Sequence, residues 1–124
     1  MMKYLMISVF VIATQFGFAN QEKFEIANDF YSNEEYDSAI VAYESILEED
    51  QFSFEIFYNL GNAYFRKDQI GKAILNWEKA RHLNPSNVMV IENLNHAYTL
   101  TRDKFDIEIK SEGFVISLGV IVPS

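Results

Sequence analysis

The sequence predicts an all-α protein built of stacked helix-turn-helix hairpins, and three observations carry that prediction. The chain matches itself when shifted by 34 residues. Its apolar residues recur at three- and four-residue steps. Polar turns and a proline punctuate those stripes at the repeat interval.

The self-match is dense. Ile26, Leu60 and Leu94 coincide, as do Phe30, Tyr64 and Tyr98. Ala27 meets Gly61, Ala39 meets Ala73, Ile40 meets Ile74, Tyr43 meets Trp77 and Ile46 meets Ala80. Asn28 meets Asn62 and Glu44 meets Glu78. In the second repeat, Phe54, Phe57, Leu60, Gly61 and Tyr64 make one helical stripe. Ile70, Ala73, Ile74, Trp77 and Ala80 make another, and Lys67-Asp68-Gln69 is the polar turn between them. Neither helix can bury its stripe alone, so the two fold back on each other. Gly61 and Ala73 are small where helix backbones must come close, and Leu60, Tyr64 and Trp77 fill the space between hairpins. Pro85 lacks an amide hydrogen and ends the second helix.

Five helices follow, over about 21–32, 35–49, 53–66, 69–82 and 87–102. Ser32 and Glu35 have capping-box spacing ahead of the second. The fifth has no partner helix of its own and reads as a cap, 88–103, over repeats 20–53 and 54–87. Beyond it, Phe105-Asp106-Ile107-Glu108-Ile109-Lys110 alternates as a strand would, and Phe114 to Val122 is apolar and β-branched. The tail 104–124 thus reads as a β-hairpin, a flexible end, or the start of a membrane-directed segment too short to span a bilayer.

The first nineteen residues read as an export signal. Met1-Met2-Lys3 is a short basic start, Tyr4 to Phe18 is almost wholly apolar, and Gly17-Phe18-Ala19 has small residues where a signal peptidase reads. Cleavage after Ala19 would leave Asn20 first, in a periplasmic or cell-envelope setting. The alternative is an uncleaved anchor, for which the stretch is short.

Charge is uneven. The chain of 124 residues has a net charge of −8, and ten of its eighteen acidic residues lie between Asn20 and Ser53, opposed there by Lys23 alone. With no basic stripe to neutralise phosphates, nucleic acid is a poor partner. The acidic first repeat is read as a solvated face, with a basic protein partner as the sharper alternative. There are no cysteines, so disulfides, thiolate metal sites and thiol catalysis are excluded. His82 and His96 lie on different helices without a metal-ligand spacing. No nucleophile elbow, phosphate loop or dinucleotide fingerprint appears. No catalytic, cofactor or metal site is expected, and the chain does not read as an enzyme.

Residues 20–103 resemble the tetratricopeptide repeat (TPR). The second repeat carries the signature as Phe57, Leu60-Gly61, Tyr64, Ala73, Trp77, Ala80 and Pro85. The first departs from it with Lys23, Ala27, Ile46 and Gln51, and the third has Asn95 in place of the glycine. The resemblance implies a short right-handed superhelix whose concave groove binds another protein or an extended peptide. The groove residues it implies are Phe24, Asn28, Tyr31, Tyr58, Asn62, Phe65, Arg66, Glu92 and His96. The alternative is a self-associating module without a peptide ligand. A two-carboxylate clamp is disfavoured: Asn28 and Asn59 match its asparagines, but Phe24, Met89 and Asn93 stand where cations are needed. The signal peptide, "YNLGNAYFRKDQIGKAILNWEKARHLNPSN" and "NLNHAYTLTRDKFDIEI" together are similar to the BatE-like TPR proteins of the bacterial aerotolerance (Bat) operon. That likeness implies partners in an envelope complex and a longer chain continuing into membrane helices.

Overall fold

The computed structural model describes residues 19–111, with side chains to Lys104. Five helices follow one another: α1 over 19–32, α2 Tyr36–Glu48, α3 Phe54–Arg66, α4 Ile70–Leu83 and α5 Val88–Ser111. The chain is all-α, with α1–α2 and α3–α4 as stacked hairpins. α3 packs on both α2 and α4, and α5 lies on α4.

The turns explain the tight folding. After α1, the Glu35 amide donates to the Phe30 carbonyl and the Glu34 amide to that of Tyr31. After α3, the Gln69 amide donates to Tyr64 and the Asp68 amide to Phe65, so both helices end in the same six-to-one and five-to-two closure. That closure requires a left-handed residue, supplied by Glu34 (φ 61°) and Asp68 (φ 58°). Helix starts are capped at Ser53, whose Oγ accepts from the Ile56 amide at 3.2 Å, and at Asn87, whose Oδ1 accepts from Val90 at 3.2 Å. The capping box expected at Ser32 and Glu35 does not form. Ser32 is still inside α1, and Glu35 is itself the N-cap of α2, so the two do not stand at the N-cap and third positions that a capping box needs.

The core runs the length of the stack. Ala27, Ala39, Tyr43, Ile46, Ile56, Leu60, Ala63, Ala73, Trp77, Ala80, Val90, Leu94 and Ala97 are among its buried members. Gly61 acts differently from expectation. A Cβ built there would lie 2.5 Å from the Trp77 indole, so the glycine makes room for a side chain rather than for a facing backbone. The repeat symmetry also fails at the ends. Leu60 and Leu94 are 2% and 3% exposed, whereas their counterpart Ile26 is 47% exposed, since no described helix precedes α1. Tyr98, counterpart of buried Tyr64, is likewise exposed.

The alternating segment 105–110 is not a strand: α5 runs through it to Ser111. A helix already formed gains one hydrogen bond for each residue it adds, whereas a strand needs a partner edge, and the described residues contain no strand. The expected end of the cap helix near 103 therefore falls inside α5. The export-signal reading falls on residues 1–18, apart from its last residue, and the rest of the tail on 112–124. Both lie outside the described residues. Among the described residues, no helix is long and apolar enough to cross a membrane.

Candidate functional site

The first helices of the successive hairpins, α1 and α3, meet α5 around one small cavity of about 120 Å³. Its lining is Tyr31 from α1, Asn62, Phe65 and Arg66 from α3, Trp77 from α4, and Asn93 and His96 from α5. Five of the nine expected groove residues are thus gathered in one place: Tyr31, Asn62, Phe65, Arg66 and His96. The Phe65 ring lies 5.5 Å from Trp77 and 5.9 Å from His96, so aromatic faces form most of the wall. Arg66 sits at the rim, 5.1 Å over the Tyr36 ring and 3.8 Å from the Glu34 carboxylate, in an exposed and therefore weak pair. Burial and the neighbouring Tyr36 push the Tyr31 hydroxyl above its ordinary pKa, with Arg66 opposing them.

The other four lie elsewhere, Glu92 among them as an exposed residue of α5 outside the cavity lining. Phe24 packs at 6.1 Å against Tyr43 and lines a separate cavity of about 410 Å³ with Ile46, Phe52 and Ile56. Tyr58 stacks on Phe54 at 5.6 Å, and its carbonyl accepts from Trp77 Nε1 at 3.2 Å. Asn28 is held in the packing. Its Oδ1 accepts from the Tyr43 hydroxyl at 2.5 Å and from Asn59 Nδ2 at 3.0 Å.

Asn62 repeats that arrangement one period later. Its Oδ1 accepts from Trp77 Nε1 at 3.1 Å and from Asn93 Nδ2 at 3.3 Å. The sequence separations are the same in both repeats, 15 to the aromatic and 31 to the next asparagine. The two asparagines expected to grip a ligand backbone therefore tie each repeat to the next with their oxygens. A second ladder runs beside the first: Tyr64 donates to Glu44, and Tyr98 donates to Glu78 at 2.8 Å. Asn59, Asn93 and Trp77 are the members of this site that sequence reasoning did not assign to it. The 34-residue period reaches all three, since Asn59 and Asn93 coincide under it as Tyr43 and Trp77 do.

Two further ion pairs are solvent-exposed and weak. Lys67 Nζ lies 3.1 Å from Asp37, and Lys23 pairs with Glu49. In the second repeat the positions equivalent to Lys23 and Glu49 hold Phe57 and Leu83, so an ion pair in the first repeat stands where the second has apolar residues. Among the described residues, no three His, Cys, Asp or Glu side chains gather as a metal-binding group.

Two matches with known families cover this region. Residues 54–87 match the tetratricopeptide repeat, and residues 27–68 match a TPR repeat family. Protein bimA of Emericella nidulans is 33% identical over 64 residues, which is 52% of this chain and 8% of that protein. The chain thus spans less than a tenth of the length of that relative. TPR proteins are typically scaffolds for protein–protein interaction rather than enzymes. The period, the hairpins and the matches agree: residues 27–87 match tetratricopeptide-repeat families throughout, in helical hairpins of that repeat's length.

Proposed function

We propose that the chain is a scaffold that holds an extended segment of another protein against the face shared by α1, α3 and α5. The observation that carries this reading is the cavity between Tyr31, Phe65, Arg66 and His96. One helix from each repeat contributes to it, and its aromatic walls and polar rim suit a peptide side chain with its flanking backbone. Catalysis forms no part of the proposal. The setting we propose is the bacterial envelope, with partners in a complex of the Bat type. It rests on the export-signal pattern of residues 1–19 and on the likeness of the repeat segment to such proteins. Membrane association would follow if the chain continues beyond Ser124 into membrane helices.

Asn28 and Asn62 are poor probes of binding, because removing them disturbs the stack. Tyr31→Ala, Arg66→Ala and His96→Ala together should abolish capture of the partner from envelope extracts while helical circular dichroism persists. Undiminished capture by the triple variant would sink the groove. The envelope setting is tested separately: the N-terminal sequence of protein from the native host should begin at Asn20, and material beginning at Met1 in the cytosol counts against export.

A second reading, self-association, is favoured by an apolar patch on another face. Phe52, Leu75 and Leu83 are each more than half exposed and line a cavity of about 500 Å³ with Phe57, Lys79 and His82. Sedimentation showing a monomer at high concentration would dismiss it.

A further inference from the structure

We propose that the outward face of α2 and α4 binds a second copy of this chain, the two copies related by a two-fold axis running along the furrow between those helices. This deepens the self-association reading above and rests on it. The groove reading is independent, because no residue used here lines the α1–α3–α5 cavity.

Helical spacing is the first argument. Both helices pack on α3, so the period sets what each turns away from it. Along α2, Asp37, Val41, Glu44 and Glu48 are exposed and recur at three- and four-residue steps. Gly71, Leu75, Glu78 and His82 hold the equivalent positions on α4, 34 residues later, with Lys72 and Lys79 beside them. Val41 and Leu75 are an equivalent pair, 68% and 54% exposed. A single exposed aliphatic residue is ordinary. Two at the same repeat position, with Phe52 and Leu83 bare beside the second, make a continuous apolar face.

Charge identifies the occupant. α2 carries Asp37, Glu44 and Glu48 and no cation. α4 carries Lys72, Lys79 and Arg81 against Glu78. Lys72 and Lys79 lie over the Tyr64 and Phe57 rings of α3, at 5.3 and 5.6 Å. Among the described residues, neither lysine is in an ion pair, and nor is Glu48. The face is thus acidic on one helix and basic on the next. A basic peptide would cover α2 and leave Leu75 bare. An acidic peptide or an anionic lipid surface would meet the α2 carboxylates along with the lysines. A face with the same two halves in opposite order suits both, and a two-fold rotation of this chain supplies it.

The rotation also sets the register. It lays α2 of each copy along α4 of the other, each position against its 34-residue counterpart. Val41 meets Leu75 of the second copy, and Glu48 meets His82. Lys79 meets Ser45, between Glu44 and Glu48. Glu44 meets Glu78, a like charge, but Arg81 already neutralises Glu78 through bonds of 2.9 and 2.6 Å. Exposed charges of this kind choose the partner and the register, and the apolar residues supply most of the affinity.

Sedimentation of the full chain tests the proposal. It should show a dimer that weakens as salt is added. Leu75→Ser and Val41→Ser should each raise the dissociation constant about tenfold or more. A charge swap is the sharper arm. Lys72→Glu with Lys79→Glu makes the face acidic on both helices, and Asp37→Lys with Glu48→Lys makes it basic on both. Each double variant alone should be monomeric, and the two mixed should pair at least as tightly as the wild type. All four positions are exposed, so helical circular dichroism should not change. A mixture that stays monomeric overturns the proposal. So does a wild-type dimer that neither double variant weakens; if Phe52→Ser or Leu83→Ser still disperses that dimer, the self-association reading stands without the α2–α4 pairing. A wild type monomeric up to about 1 mM removes both. A monomer that binds phosphatidylglycerol vesicles through Leu75 assigns the face to a membrane and overturns the proposal as well.

Discussion

Asn62 joins two neighbours through one oxygen, and Gly61 beside it makes the space in which one of them lies. Such residues look like ligand contacts in a sequence, because amides at a repeat spacing on one helix face are what a peptide groove would use. The structure gives their oxygens to Trp77, Tyr43 and the next asparagine, because a buried indole N–H or phenol needs an acceptor. Gly61→Ala should destabilise the protein by about 1–3 kcal/mol in urea denaturation, since the indole has no free space to move into. Gly71→Ala, in open space within α4, should be neutral or slightly stabilising and serves as the control. The tyrosines make a second prediction. Burial pushes the Tyr43 hydroxyl up to about 12, with the Asn59 amide opposing. Burial, aided by the Glu44 bond and charge, pushes Tyr64 to about 12 as well. The unfolded value is about 10, so above that pH the unfolded chain binds fewer protons than the folded one. Their contribution to stability is therefore complete below pH of about 10 and is lost as pH rises through about 12. The thermal midpoint should fall over that window. The phenolate absorbance step near 12 should shrink in Tyr43→Phe.

At the scale of the element, periodicity located every helix to within a residue or two, save for the far end of α5. What it could not locate was how helices end. Glu34 and Asp68 are not glycine, yet both adopt the left-handed conformation at equivalent turns, because the closure bonds to Phe30 and Tyr64 offset its cost. Ser53 is the clearest side-chain cap, and Ser53→Ala should cost about 1 kcal/mol, measured as a lower urea midpoint at unchanged m-value. The extension of α5 to Ser111 shows the limit of reading six residues by alternation. Phe105 and Ile109, and equally Asp106 and Lys110, are also spaced by one helical turn, so the same letters satisfy two patterns.

Across the whole molecule, two hairpins and a cap make a short stack, and each layer depends on its neighbour. The Tyr64–Glu44 and Tyr98–Glu78 bonds and the Asn28–Asn59 and Asn62–Asn93 bonds all cross between repeats. Removing the cap's anchor should therefore be felt throughout. Leu94→Ala is expected to cost about 2–5 kcal/mol, a large share of the roughly 5–15 kcal/mol of an ordinary domain. Because Trp77 lies in the adjacent helix, circular dichroism and tryptophan fluorescence should lose their signals together. A fluorescence transition left in place while helicity falls would show that the repeats melt separately.

Spacing alone determined the all-α class, the 34-residue period, the order of the helices and most of the buried set. Each of these follows from which residues must share a helix face. Tertiary structure decided the rest. It placed five expected groove residues around one cavity and left Phe24, Asn28, Tyr58 and Glu92 outside it. It also exposed Ile26 while burying its counterparts Leu60 and Leu94. The physical reason is common to these cases. A repeat states what each position would touch inside an endless stack, but burial and hydrogen bonding depend on which neighbours exist at the ends and on which acceptor a buried donor reaches first.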